Sequence, residues 1–161
     1  MTDIEYAKRW AETRTTDLDA HRELYAASRH FAIDSRKVED HELDTITTDA
    51  EFAEGMARYV NSDETSGAGV HKFTVTDVLP GNGHMLIHFD WELKGADSYC
   101  GLPTNGKTLR TKGSAFLDFD ANGKIEMESS FVAEVPVFQE LGVALITPHY
   151  WEEGFDPASL G

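Results

Sequence analysis

The chain has 161 residues, 40% hydrophobic and 27% charged, enough for one globular domain spanning 1–161 that buries about two-thirds of its unfolded surface. With 14 Lys and Arg against 29 Asp and Glu the formal charge is −15, which repels phosphate backbones and anionic membranes, so neither nucleic acid nor a membrane is an expected partner. A single cysteine, Cys100, rules out an intrachain disulfide. The N-terminus lacks signal-peptide character, and no apolar run approaches the ~20 residues of a membrane span, so the expected location is cytoplasmic.

In chain order, residues 3–13 place Ile4, Ala7 and Ala11 at helical spacing, with Tyr6 and Trp10 on an adjacent stripe, which predicts an amphipathic helix. Asp17 can cap a second helix running from 18 to about 27, with Leu18, Leu24 and Tyr25 available to the core. Residues 30–35 alternate Phe31 and Ile33 with His30, Ala32 and Asp34, as a short first strand does. A charged, mostly non-periodic stretch follows over 36–48. Thr48 or Asp49 can then cap a third helix through Tyr59, with Phe52, Met56 and Tyr59 on one stripe. Residues 61–69 read as a polar loop. The strand over 70–79 alternates His71, Phe73, Val75 and Asp77 against Lys72, Thr74, Thr76 and Val78. After a turn at 80–83, a strand over 85–93 puts Ile87, Phe89, Trp91 and Leu93 on its apolar face and His88, Asp90 and Glu92 on the other.

Two further strand-like runs, 108–119 and 124–133, are joined by Asp120-Ala121-Asn122-Gly123, strong hairpin punctuation. Pairing Phe119 with Ile125 gives Gly123 the left-handed position of a type I turn plus bulge. Continued without interruption, that register sets Leu117 beside Met127, Ala115 beside Ser129, Gly113 beside Phe131 and Thr111 beside Ala133, all on an apolar inner face. The outer face would carry Arg110, Lys112, Ser114, Asp118, Glu126, Glu128 and Ser130. The tail over 143–161 keeps Leu145, Ile146, Tyr150 and Trp151 and is expected to dock on the body or in a dimer contact.

The run Gly101-Leu-Pro-x-x-Gly-Lys, then Gly113, Leu117 and Phe119, then Asn122-Gly-Lys-Ile, then Phe138-Gln-Glu-Leu-Gly142 resembles SnoaL-like polyketide cyclases of the nuclear-transport-factor-two-like superfamily. The resemblance extends more weakly to Asp17-Leu-Asp-Ala and Glu23-Leu-Tyr. It implies an α+β fold, a curved antiparallel sheet forming a cone around N-terminal helices with a single pocket inside. It also implies an inward aspartate nine residues before the glycine of the last motif; here that position is Ala133. The fold hosts isomerases, dehydratases, epoxide hydrolases, cyclases and non-catalytic binders, so the resemblance alone does not choose a chemistry.

If the strands run antiparallel, one sheet edge gathers His71, Trp91, Thr111, Phe131 and Ala133. His71 is then the first candidate for a general acid or base; the alternative is a hydrogen-bonded strand-end histidine with no catalytic task. Asp34 can orient an imidazole or bind a polar substrate group, or cap a strand at the surface, and His30 shares its strand face. Trp10, Tyr25, Trp91 and Phe131 can clamp a flat ligand or simply fill the core, and Thr111 completes the substrate-side set. His84, His88 and Asp90 share the outer face and make a poor metal set, Cys100 reads as a structural thiol, and no phosphate-cradling loop is present; no metal or cofactor is expected. Two functions follow. One is a cofactor-independent cyclase, isomerase or lyase (dehydratase type) that applies acid–base chemistry to a hydrophobic, carbonyl-bearing, polycyclic or terpenoid substrate. The other is a non-catalytic protein that holds an apolar small molecule. The polar mixture on the outer sheet face, with Phe116, suggests a homodimer.

Overall fold

The computed structural model describes residues 2–33 and 44–143, together with 153, 154, 156 and 158. The N-terminal wall is α1 (Asp3–Thr16) and α2 (Leu18–Arg22). Thr2 and Glu5 form a capping box at the start of α1, and the Asp17 side chain accepts from Ala20 N (3.0 Å) at the start of α2. The buried stripe of α1 is Ala7, Trp10, Ala11 and Arg14, whereas Ile4 is exposed. The second helix is shorter than its sequence suggests. It ends at Arg22, and β1 (Tyr25–Ile33) already begins at Tyr25, because Ile125 N donates to Leu24 O (2.9 Å) and draws the chain into the sheet. After β2 (Asp44–Ile46), α3 (Asp49–Ala57) starts on a Thr48 capping box and buries Phe52 and Met56, with Tyr59 just beyond.

The remaining elements are β3 (Ala68–Pro80), β4 (His84–Ala96), the short β5 (Ser98–Tyr99) and β6 (Leu102–Pro103), β7 (Leu109–Phe119), β8 (Ile125–Val132) and α4 (Glu134–Glu140). Six strands form one sheet in the order β2-β1-β8-β7-β4-β3; every neighbouring pair is antiparallel except β1 with β8, which is parallel. The concave face receives α1, so that Trp10, Phe89, Ile87, Leu117 and Ile125 meet in a continuous core. Each such side chain contributes about 1.5–3 kcal/mol by leaving water. Gly113 is fixed by close approach: a Cβ there would lie 2.4 Å from the Phe89 ring and 2.6 Å from Phe131 O.

Two bulges overturn the strict alternation read from the sequence. In β3, Val75 pairs with Phe89 but Asp77 pairs with His88, so one extra residue is accommodated and Val78, rather than Asp77, turns toward the core. In β8 the turn is as expected, with Phe119 opposite Ile125 and Gly123 at φ 73°. One step on, however, Asp118 pairs with Met127, and beyond that Leu117 faces Glu128 and Gly113 faces Val132. The inner positions are therefore Glu128 and Ser130, both buried, while Phe131 is 58% exposed. A one-residue slip inverts every side chain after it; here the slip brings an acid to a buried arginine.

The same slip corrects the placement of Ala133. It is exposed, lies outside β8 and is the N-cap of α4, without a side-chain cap bond. Its N–H donates to Lys112 O (2.8 Å), and its carbonyl accepts from Thr111 Oγ1 (2.7 Å). An Ala133→Asp side chain would find the N–H of Val135 at the first turn of the helix, Pro136 having none. We expect the substitution to raise stability by about 0.5–1 kcal/mol through capping and to create no activity. A lowered melting temperature would contradict this placement.

Candidate functional site

A cavity of about 250 Å³ opens at the end of the cone where β3, β4 and β8 meet the β5–β6 hairpin. Cys100 and Gly101, at φ 50° and 79°, give that hairpin two left-handed turn residues, which set Tyr99 and Cys100 at the cavity rim. Its walls are aromatic and aliphatic: Tyr59, Phe73, Phe89, Trp91, Leu93 and Tyr99. The polar groups on them are Arg14, Arg58 and His71, with Ser98, Cys100 and Ser130.

His71 stands on β3 opposite Leu93, packed edge-on against Tyr59, with ring centroids 4.8 Å apart. Trp91 Nε1 donates to His71 Nδ1 at 3.1 Å. An imidazole that accepts at Nδ1 is neutral and carries its proton on Nε2, so in this arrangement the ring is a donor. Accepting a proton would require the bond from Trp91 to break.

Beneath the cavity lies a buried polar cluster. Arg14 Nη1 donates to Glu128 Oε1 (2.8 Å), Trp10 Nε1 donates to Glu128 Oε2 (3.0 Å), and the Tyr25 hydroxyl donates to the same oxygen. His21 joins through Tyr25 OH (3.2 Å at Nε2) and Thr13 Oγ1 (3.0 Å at Nδ1). Burial alone pulls the Arg14 pKa down, but the facing Glu128 carboxylate more than reverses this and holds the guanidinium above its ordinary range. Burial, then Glu128, push the Tyr25 phenol well up. The guanidinium also lies over the rings of Trp10, Tyr59 and Phe73, with Cζ 4.9–5.2 Å from their centroids. Glu128 itself does not reach the cavity wall; Arg14 does.

His21 makes the fold acid-sensitive. Burial, then the Arg14 charge, hold its pKa well below 6.5, so the folded chain refuses a proton that the unfolded chain accepts. The stability it contributes is complete above about 6.5 and declines as the pH falls toward the lower folded value. Asp49 is held down to about 2 by Arg22 and Arg29, and Glu51 to about 2 by the backbone N–H groups of Thr47 and Thr48; both act only below about 4. We therefore expect the melting temperature to fall between pH 7 and 5, with a flatter profile in His21→Gln. Parallel profiles would remove His21 as the cause.

Of the residues singled out in the sequence, His71, Trp91 and Phe131 do meet around the cavity. Trp10 and Tyr25 belong instead to the buried cluster below it. Thr111 holds the α4 junction through Ala133 O, and Ala133 lies outside the cavity lining. Asp34 lies outside the described residues, as do the His30 side chain and the tail residues Leu145, Ile146, Tyr150 and Trp151. On the outer face, His88 Nδ1 is 2.8 Å from Ser114 Oγ and His84 stacks on Phe116; the described residues contain no metal-binding cluster. Sequence reading missed Arg14, Arg58 and Glu128. Arg14 had a signal: it falls four residues after Trp10 and seven after Ala7 on the apolar stripe of α1, where a charge requires a buried partner.

No protein-family model and no curated protein sequence matches the chain. Solved structures do. A SnoaL-like polyketide cyclase candidate from Shewanella denitrificans superposes with a TM-score of 0.66 at 16% identity, covering 88% of this chain and 98% of its own. The polyketide cyclase candidate IdmH from Streptomyces antibioticus gives 0.65 at 15%, covering 88% and 100%. A protein of ketosteroid isomerase-like fold from Catenulispora acidiphila, solved with trimethylamine, gives 0.62 at 18%, covering 89% and 96%. The chain thus has the cone-shaped α+β fold of nuclear-transport-factor-two-like proteins, the fold that SnoaL-like cyclases share. Among the described residues, no helix is long and apolar enough to cross a membrane.

Proposed function

We propose that the protein is a cofactor-independent enzyme of cyclase, isomerase or dehydratase type, acting on a hydrophobic, carbonyl-bearing small molecule. The observation that carries this reading is the Trp91–His71 bond, which holds a neutral imidazole with its proton on Nε2 in the wall of an apolar cavity. A neutral imidazole is an effective electrophile: it hydrogen-bonds a carbonyl oxygen more strongly as enolate charge develops there, without having to surrender its proton. The Arg14 guanidinium, paired behind with Glu128, turns its cationic side to the same cavity. The proton that leaves the activated carbon goes to water at the open mouth, which suits substrates whose carbon acid lies between two carbonyls. The structural likeness to cyclase candidates supports this class.

The test is to incubate the protein with cyclisable and isomerisable 1,3-dicarbonyl compounds and follow both binding and product. Turnover that depends on His71 supports the enzyme. Saturable binding without product over hours selects the second reading, a carrier of small apolar molecules.

We also propose that the protein is a homodimer through the outer sheet face. There Arg110 Nε donates to Glu92 Oε2 (2.7 Å), and Phe116 is only partly covered. Light scattering is expected to give twice the 17.9 kDa chain mass, and a monomer at micromolar concentration would refute it.

A further inference from the structure

We infer that the cavity selects a small carboxylate: a compact mono- or bicyclic apolar body with one negative group, seated with its charge toward Arg58 and Arg14. The inference rests on the reading of this cavity as a ligand site and goes beyond it in naming the charge and size of the ligand.

The distribution of charge is the first argument. The chain carries 29 acidic residues against 14 basic ones, yet the described residues that line the cavity include two arginines and no Asp or Glu. The carboxylate that balances Arg14, Glu128, is fully buried and lies outside the lining, so the pair presents its cationic member to the cavity. Arg58 stands at the same wall. Its Cζ is 4.9 Å from the Tyr59 ring centroid, as is that of Arg14, and its Nη2 donates to Tyr59 OH (3.0 Å). One aromatic ring therefore orders two guanidiniums at the cavity wall. Arg14 lies between apolar walls, where its attraction for an anion is stronger than at an open surface, while Arg58 is exposed at the mouth; the planar fork of a guanidinium matches a carboxylate.

The same geometry disfavours a cation. Two guanidiniums at the wall repel a ligand ammonium, and one face each of Tyr59 and Phe73, which would attract it, already holds Arg14. Size is the remaining argument. At about 250 Å³ the cavity falls below the roughly 300–1,000 Å³ of sites for drug-sized ligands, a size that suits a body of one or two rings.

The test uses three probes with one ring system: 2-naphthoate, its methyl ester and 2-naphthylmethylammonium, titrated against the full-length protein by tryptophan fluorescence at low and high salt. We expect the carboxylate to bind at least about tenfold more tightly than the ester and more tightly still than the ammonium, with a margin that shrinks in salt. Arg58→Gln, an exposed position, should cut that margin several-fold. Equal affinity for acid and ester would overturn the charge preference while leaving the ligand site intact. An undiminished margin in Arg58→Gln would also overturn it, because the anion would then be held elsewhere. If none of the three probes binds, the inference and the reading of the cavity as a ligand site fall together.

Discussion

Replacing Glu128 by leucine is expected to destabilise the protein by about 3–5 kcal/mol, since it leaves the Arg14 cation buried without its carboxylate. The Trp10 indole and Tyr25 hydroxyl lose the same acceptor, which adds to the cost. The informative comparison is the pair Arg14→Met and Glu128→Leu. Removing both charges abolishes the uncompensated ion, so the double variant should be no less stable than Glu128→Leu alone, although Trp10 and Tyr25 keep it below the parent. Urea unfolding of both single variants and the double closes the cycle. Strictly additive losses would mean that the pair does not act as a unit.

The second large effect is expected on turnover. His71→Ala should lower turnover of a 1,3-dicarbonyl substrate by about 10²–10⁴-fold, the usual contribution of a positioned acid–base group. Its effect on stability should be about 1–3 kcal/mol, since the Trp91 N–H loses its acceptor and the rings of Tyr59 and Phe73 lose a packing neighbour. The shape of the loss identifies the role. His71→Gln retains an N–H donor but cannot take up a proton, so it should recover part of the activity if the imidazole polarises a carbonyl. Equal losses in the Ala and Gln variants would return His71 to the role of a base, and undiminished turnover in both would assign the chemistry to another residue.

The candidate site divides along the same line as the fold. His71 and Trp91 were legible because they sit on long, regularly alternating segments whose faces follow from apolar neighbours such as Phe73, Phe89 and Leu93. Arg14 was legible in principle, as a charge on the buried stripe of a helix. Glu128 was not. Its local sequence, Met-Glu-Ser-Ser, has no apolar alternation to mark an inner face, and a register carried forward from the turn placed it outside.

What the sequence determines by itself is local: the caps at Asp17 and Thr48, the stripe of Phe52, Met56 and Tyr59, the left-handed Gly123 turn, and the apolar face of β4. Each is a property of a few neighbouring residues and their own backbone. The tertiary structure alone decides where a strand admits an extra residue, because a bulge at Thr76 or Glu126 costs little locally and is selected by what the shifted side chains then meet. For β8 that partner is the Arg14 guanidinium, 114 positions earlier in the chain. Pairing the two charges away from water requires Glu128 to point inward, so the bulge, the exposure of Ala133 and the placement of the cavity's cation all follow from one long-range contact.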